Sequence, residues 1–141
     1  MTHAHRAARS LPLWTLTGGL IAATLDIVYA ITYWGVTAGV PAQRILHSVA
    51  SGLIGREAAL AGGASTAALG LALHYLIALI MAAVYAYAAT KLAWWRQEVA
   101  AAFSGAPSHP VMKALMPHVT SYAIEARHLL AVIDGCQMDL Q

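Results

Sequence analysis

Two long apolar stretches dominate the pattern of hydrophobic and polar positions along the chain. The first covers residues 11–40 and contains one charged residue, Asp26. The second covers residues 64–95, and its only charged residue, Lys91, lies near its end. Because roughly 20 apolar residues suffice to cross a bilayer, each stretch is predicted to form one transmembrane helix.

The first stretch also has features of a secretory signal, since Arg6 and Arg9 precede it. The apolar core of such a signal is only about 7–15 residues long. The stretch here is longer, and Asp26 interrupts it. We therefore interpret it as an uncleaved anchor that follows a cytoplasmic flank of residues 1–10.

The segment between the two stretches, residues 41–63, is too charged to cross a bilayer, because it contains Arg44, Arg56 and Glu57. Its apolar positions recur at helical spacing, which predicts a short amphipathic helix on the membrane surface. A re-entrant segment is the alternative interpretation. The apolar positions are Ile45, Leu46, Val49 and Leu53.

The composition becomes more polar over residues 96–141. Residues 105–110 read as a turn-rich linker, and residues 112–133 show one apolar stripe at helical spacing, which predicts an amphipathic helix. Pro117 is expected to start this helix or to kink it. The face opposite the stripe is expected to be solvated, and it carries His118, Ser121, Glu125 and His128.

These elements predict an all-α integral membrane protein. It is a helical hairpin of two long transmembrane helices, with a surface amphipathic helix between them and an amphipathic C-terminal helix. The composition agrees, since 60% of the 141 residues are hydrophobic and only 10% are charged, whereas about a quarter of an average soluble domain is charged. This balance excludes an ordinary soluble enzyme domain of this size.

Aromatic and basic residues near the ends of the stretches predict the position of the membrane boundary. The expected interface anchors are Trp14, Lys91, Trp94 and Trp95. Lysine and arginine are slightly more frequent outside the hairpin than in its connecting segment, which places both termini in the cytoplasm. The expected location is the bacterial inner (cytoplasmic) membrane.

Asp26 is the most unusual residue, because a charge near the middle of a span costs about 3 kcal/mol on insertion scales. In an antiparallel hairpin His74 is its natural partner, and the two form a predicted intramembrane polar pair. Tyr29 and Tyr33 lie beside Asp26 on the helix and are predicted to support it. The pair has two interpretations: a proton or cation relay, or a helix–helix hydrogen bond.

Small residues at intervals of four predict close helix packing. They form the pair Gly35 and Gly39 on the first stretch and the row Ala78, Ala82 and Ala86 on the second. Because two spans with a buried aspartate are poorly shielded alone, we expect a homo-oligomer or a larger membrane complex, in contact with the lipid bilayer.

Evidence for chemistry is sparse. The chain contains no nucleotide-binding, zinc-protease or serine-hydrolase motif. The single cysteine, Cys136, excludes an intrachain disulfide. The net charge of +2 is spread over the chain and provides no electrostatic footprint for nucleic acid. We accordingly predict no catalytic residue, no metal and no cofactor.

Part of the chain resembles a loose group of small, uncharacterised bacterial multi-span membrane proteins. The resemblance covers about residues 18–95 and rests on GGLIAATLDIVYA, on Gly39 to Arg44, on ASGLIGREAALAGG and on TAALGLALHYLIA. The resemblance implies four spans and no established activity, and the segment after Trp95 departs from that pattern.

The predicted function is therefore a non-enzymatic membrane module that oligomerises or binds a partner. The alternative is a small transporter or channel subunit with a proton or cation relay at Asp26 and His74.

Overall fold

The computed structural model describes the backbone of residues 2–140 and the side chains of residues 13–140. Over this range it consists of α-helices joined by short connections, without a strand, which confirms the predicted all-α class. Side chains of the predicted flank, residues 1–10, lie outside the described part. The helices are α1 (Thr2–Ala38), α2 (Ala42–Ile54), α3 (Arg56–Ala61), α4 (Gly63–Phe103), α5 (Pro110–Ser121) and α6 (Ala126–Met138).

The chain divides into two compact units, and the division lies inside α4. The N-terminal unit extends to Val84, and the C-terminal unit begins at Tyr85. The helix α4 contributes residues to both units.

Two helices, α1 from Leu13 onward and α4, are long and apolar enough to cross a membrane. Only 17% of the most apolar window of α1 and 11% of that of α4 is buried. The core helix of a soluble protein would instead be mostly covered, because burial of apolar surface drives its folding. The prediction of two long apolar helices is confirmed.

The end of α1 is set by Gly39, whose φ of +62° lies in the left-handed region. Its backbone N–H donates to the carbonyl of Gly35 at 3.1 Å, which is the hydrogen bond of a left-handed helix cap. Pro41 follows with a φ of −67° and precedes α2. The first helix therefore ends at Ala38, two residues before the predicted boundary.

The predicted single surface helix over residues 41–63 is wrong, because the structure has two helices there. Gly55 separates α2 from α3 and has a φ of +82°, a conformation that side chains disfavour. Its N–H donates to the carbonyl of Ser51 at 3.0 Å and closes α2.

Glycines allow the helices of the N-terminal unit to approach closely. A Cβ at Gly19 in α1 would lie 3.0 Å from the Cβ of Ala82 in α4. A Cβ at Gly70 in α4 would collide with the backbone carbonyl of Leu46 in α2. The backbones of α2 and α4 therefore touch at Gly70, a contact that no other residue type permits.

The predicted single C-terminal helix is also wrong. The chain leaves the helical path after Ser121, and Ala123 adopts a φ of +50°, so that α5 and α6 are separate helices. Pro117 lies inside α5 rather than at its start. The buried core of this unit consists of Val99, Ala102, Met112 and Ile133, with Leu92, Trp95, Met116, Ala126, Leu129 and Leu130 packed against it.

Candidate functional site

A buried carboxylate organises the connection between α4 and α5. Only 4% of Glu98 is exposed. Its carboxylate accepts a hydrogen bond from the Ser108 hydroxyl and further bonds from the backbone N–H groups of Ser108 and His109, each at 2.7 Å. Glu98 thereby holds the residues that immediately precede α5.

These hydrogen bonds also affect the protonation of Glu98, which lies three residues beyond the predicted span at residue 95. The Ser108 hydroxyl first, and then the His109 N–H, hold the pKa of the Glu98 carboxyl below its ordinary value. Glu98 is therefore an ionised acceptor near neutral pH.

Three aromatic rings cover this connection. The His109 ring lies 5.2 Å from the Trp94 ring and 5.3 Å from the Trp95 ring, measured between centroids, and both contacts are edge-on. The ammonium of Lys91 lies 4.9 Å from the centroid of the Trp94 ring, within cation–π range. The predicted interface anchors of α4 thus form one aromatic cluster with His109.

A groove between α4 and α6 in the C-terminal unit carries a cationic group, the guanidinium of Arg96. It encloses about 320 Å³. Arg96 forms an ion pair with Asp134, and its Nη2 also donates to the Gln137 side chain at 3.1 Å. The wall is apolar along α4, and the full lining is Tyr85, Ala89, Leu92, Ala93, Arg96, Gln97, Gln137 and Leu140.

Glu125 and His128, which are three residues apart, form a capping interaction at the start of α6. The Glu125 N–H donates to Nδ1 of His128 at 3.1 Å, and the Glu125 carboxylate pairs with Arg127 at 2.8 Å. Both residues are exposed, as are His118 and Ser121. In the described part of the chain, no group of three or more His, Cys, Asp or Glu residues is arranged to hold a metal.

In the N-terminal unit, the structure brings Asp26 and His74 within 4.0 Å, measured from Oδ2 to Nε2. The nearer partner of Nε2 is the carbonyl of Ala23 at 2.9 Å, so Nε2 carries a proton. The Asp26 side chain is 72% exposed. The histidine therefore joins α4 to the α1 backbone, with the carboxylate at the edge of its reach.

The predicted supporting residues, Tyr29 and Tyr33, stack on each other with centroids 5.6 Å apart. No hydrogen bond between described residues joins either one to Asp26. The hydroxyl contact between α1 and α4 is made instead by Thr24 and Tyr75, whose oxygens are 2.8 Å apart. The sequence analysis missed this pair, although both are polar residues within apolar stretches.

The predicted packing residues differ in what they contact. Ala82 meets Gly19 across the helix pair, whereas a Cβ at Gly35 would meet only the carbonyl of Val40, at 3.8 Å. Gly39 lies beyond the end of α1. Packing of these small residues against another chain stays a prediction. The residues concerned are Gly35, Gly39, Ala78, Ala82 and Ala86. Trp14 is 73% exposed, and its place at a membrane boundary is likewise a prediction.

Comparison with known proteins finds a similarity in the C-terminal part of the chain. Residues 81–141 match the sequence model of the squalene/phytoene synthase family. The match covers less than half of the chain. Comparison with curated proteins and with solved structures finds no match.

The match corrects three predictions. The chain is similar to a defined family over residues 81–141, so the assignment to an uncharacterised membrane group is wrong. The predicted non-enzymatic module and its transporter alternative are also wrong, since members of the matched family are synthases. The prediction that the chain is not an enzyme is wrong for the same reason. The segments that carried the resemblance over residues 18–95 consist mainly of small and apolar residues, which many unrelated membrane proteins share.

The sequence analysis also missed Arg96, Glu98 and Asp134. One local signal was present, because Ser108 and His109 directly precede Pro110, and proline favours the first turn of a helix. The polar density of residues 96–141 was a second signal. Neither identifies the partners, which lie ten to 38 positions apart along the chain.

Proposed function

We propose that this chain acts in isoprenoid biosynthesis through a squalene/phytoene synthase-like C-terminal unit that two apolar helices attach to a membrane. The observation that carries the proposal is the family match, whose range, residues 81–141, includes the whole compact unit that begins at Tyr85. The sequence similarity therefore coincides with one structural unit.

The groove between α4 and α6 supports this function chemically. Its apolar wall suits a hydrocarbon chain, and its polar end suits an anionic group, which together describe an isoprenoid phosphate ester. Both hydrogen bonds of Arg96 within the described residues come from Nη2. The Nη1 and Nε donors of this guanidinium form no hydrogen bond with a described residue, and we propose that they bind the ligand.

Attachment to a membrane suits the products after which the family is named. Squalene and phytoene are hydrocarbons, so they partition into lipid rather than into water. The exposed apolar surface of α1 and α4 supports insertion, because burying it in lipid removes it from water. The helix α4 has 41 residues, about twice the number a bilayer requires. We propose that the span ends near Trp94 and Trp95.

We further propose the bacterial inner membrane as the location, with both termini in the cytoplasm. The basic residues that flank the hairpin support this orientation. It places the C-terminal unit on the side where soluble phosphorylated precursors are found.

The enzymatic proposal is tested with the full chain in isolated membranes. The membranes are incubated with an isotopically labelled prenyl diphosphate, and the hydrocarbon extract is analysed by mass spectrometry. We expect a labelled isoprenoid hydrocarbon, and we expect Arg96→Gln to reduce its rate of formation about tenfold or more, because a charged hydrogen-bond donor is lost.

Arg127→Gln is the matched control, since Arg127 is an exposed arginine of the same unit that does not line the groove. It should retain the wild-type rate. Absence of any labelled hydrocarbon from wild-type membranes that contain the folded chain would refute the enzymatic function. Release of the chain from membranes by alkaline carbonate would separately refute the membrane attachment.

A further inference from the structure

We propose that the corner formed by α2 and α3 binds the phosphate group of an anionic ligand. This site lies in the N-terminal unit, outside the residues matched to the synthase family. It rests on the geometry of that unit alone. Only the idea that the phosphate belongs to a lipid rests on the membrane attachment proposed above.

The corner contains a small cavity of about 200 Å³. This is less than the roughly 300–1,000 Å³ of pockets that hold organic ligands, so it suits a single head group. The residues that α2 contributes are spaced by three and four positions and so share one helix face. The lining consists of Arg44, His47, Ser48, Ser51, Arg56 and Leu60.

The side chains that line the cavity carry positive charge and no negative charge. Arg44 and Arg56 both line it, and neither forms an ion pair with a described residue. No acidic residue lines the cavity. Guanidinium groups bind phosphate through paired N–H···O bonds, which makes arginine the side chain best matched to this anion.

The remaining polar groups shape the cavity. His47 is 6% exposed, and its Nε2 donates to the carbonyl of Gly63 at 2.8 Å, which fixes α2 against the start of α4. The Ser48 and Ser51 hydroxyls donate to backbone carbonyls of α2. The arginines are therefore the groups that hold the anion, and the α2–α4 contact holds Arg44 in place.

The location suggests the source of the phosphate. The segment that carries α2 and α3 joins the end of α1 to the start of α4. In the proposed membrane topology, in which α1 and α4 both cross the bilayer, this connection lies at the level of the lipid head groups. A free phosphate ion offers the same chemistry, so the test separates the two sources.

The experiment uses the full chain in mild detergent at constant ionic strength. The midpoint of thermal unfolding is followed during titration with inorganic phosphate, and separately with short-chain phosphatidylglycerol or phosphatidylcholine of equal acyl length. A ligand that binds only the folded chain raises this midpoint. We expect phosphatidylglycerol to raise the midpoint more than phosphatidylcholine does.

The double variant R44Q/R56Q should weaken this binding about tenfold or more, because both charged donors are lost. Ser48→Glu, which adds a carboxylate to the lining of the cavity, should abolish it. Arg127→Gln, an exposed arginine of the other unit, should bind as the wild type does. Helix content measured by circular dichroism confirms that each variant is folded.

Saturation by inorganic phosphate, lost in the double variant, supports the site with a free phosphate as its ligand. Saturation by phosphatidylglycerol alone, lost in the same variant, supports it with a lipid head group. The proposal is overturned if the wild type responds to neither ligand, or if R44Q/R56Q and Ser48→Glu both respond as strongly as the wild type.

Discussion

At the scale of single residues, Glu98 shows how one side chain organises a connection. Its carboxylate is buried at the end of α4 and receives hydrogen bonds from a hydroxyl and from backbone groups ten and eleven residues later. Burying a carboxylate is unfavourable unless such donors replace its hydration. The Ser108–His109 segment supplies these donors, and this pairing directs the chain into α5.

We expect Glu98→Gln to lower the midpoint of thermal unfolding at pH 7, because a neutral amide accepts weaker hydrogen bonds than a carboxylate does. The pKa of Glu98 is lower in the folded than in the unfolded chain. Its stabilising contribution is therefore complete above the unfolded pKa of about 4.3 and disappears as the pH falls through the folded pKa.

The difference in midpoint between wild type and Glu98→Gln should accordingly shrink below about pH 4. Glu57→Gln is the control, since Glu57 is exposed and makes no hydrogen bond through its side chain to a described residue. A difference between wild type and Glu98→Gln that stays constant from pH 7 to pH 3 would contradict this account.

A second residue-scale prediction concerns Ala123, whose φ of +50° is unfavourable for a residue with a Cβ. The left-handed conformation costs an L-residue about 1–2 kcal/mol, and glycine avoids that cost but loses more entropy on folding. We expect Ala123→Gly to raise the free energy of unfolding by about 0.5–1 kcal/mol.

Chemical denaturation measures this change. Ala114→Gly, at an exposed position inside α5, should lower the free energy of unfolding by about 1 kcal/mol. If Ala123→Gly and Ala114→Gly lowered the free energy of unfolding equally, the conformation of Ala123 would not be strained.

At the scale of elements, glycine determines how closely helices pack. The pattern of apolar residues predicted α1 and α4, because hydropathy is a local property of the chain. It did not predict the break at Gly55 or the break near Ala123, since an amphipathic stripe can continue through a turn. It also selected Gly35 and Gly39 for packing, whereas α2 and α4 touch at Gly70.

Gly70→Ala should lower the free energy of unfolding by about 1–3 kcal/mol, since the added methyl group would collide with the backbone of α2 and force it to move. The cost should exceed the gain in helix propensity of about 1 kcal/mol.

Gly52→Ala provides the comparison, because Gly52 lies in α2 with open space where its Cβ would be. That variant should be more stable than the wild type by about 0.5–1 kcal/mol. If Gly70→Ala raised the free energy of unfolding as much as Gly52→Ala does, the close approach of α2 and α4 would be refuted.

At the scale of the whole molecule, the chain combines two units with different character. The N-terminal unit has little buried surface and a large apolar exterior, whereas the C-terminal unit has its own small core and matches a synthase family. These two properties are the basis of the proposed function, a synthase-like unit attached to a membrane.

The single cysteine, Cys136, makes the proposed orientation measurable without engineering a label, because it is exposed. In intact cells a membrane-impermeant maleimide should leave Cys136 unlabelled, and permeabilisation should allow labelling. A Cys136→Ser variant that carries Ser51→Cys should show the opposite, since Ser51 lies in the connecting segment. Labelling of Cys136 in intact cells would show that the C-terminus lies outside, which would contradict the proposed orientation.

The sequence by itself determined the all-helical class and the positions of the two long apolar helices, because both follow from the local density of apolar residues. Tertiary structure decided which residues come together: Gly70 with α2 and Glu98 with the Ser108–His109 segment. It also decided that Arg44 and Arg56 line the same cavity. Such contacts depend on where helices bend and how closely they approach, and neither property is encoded in the spacing of residues within one helix.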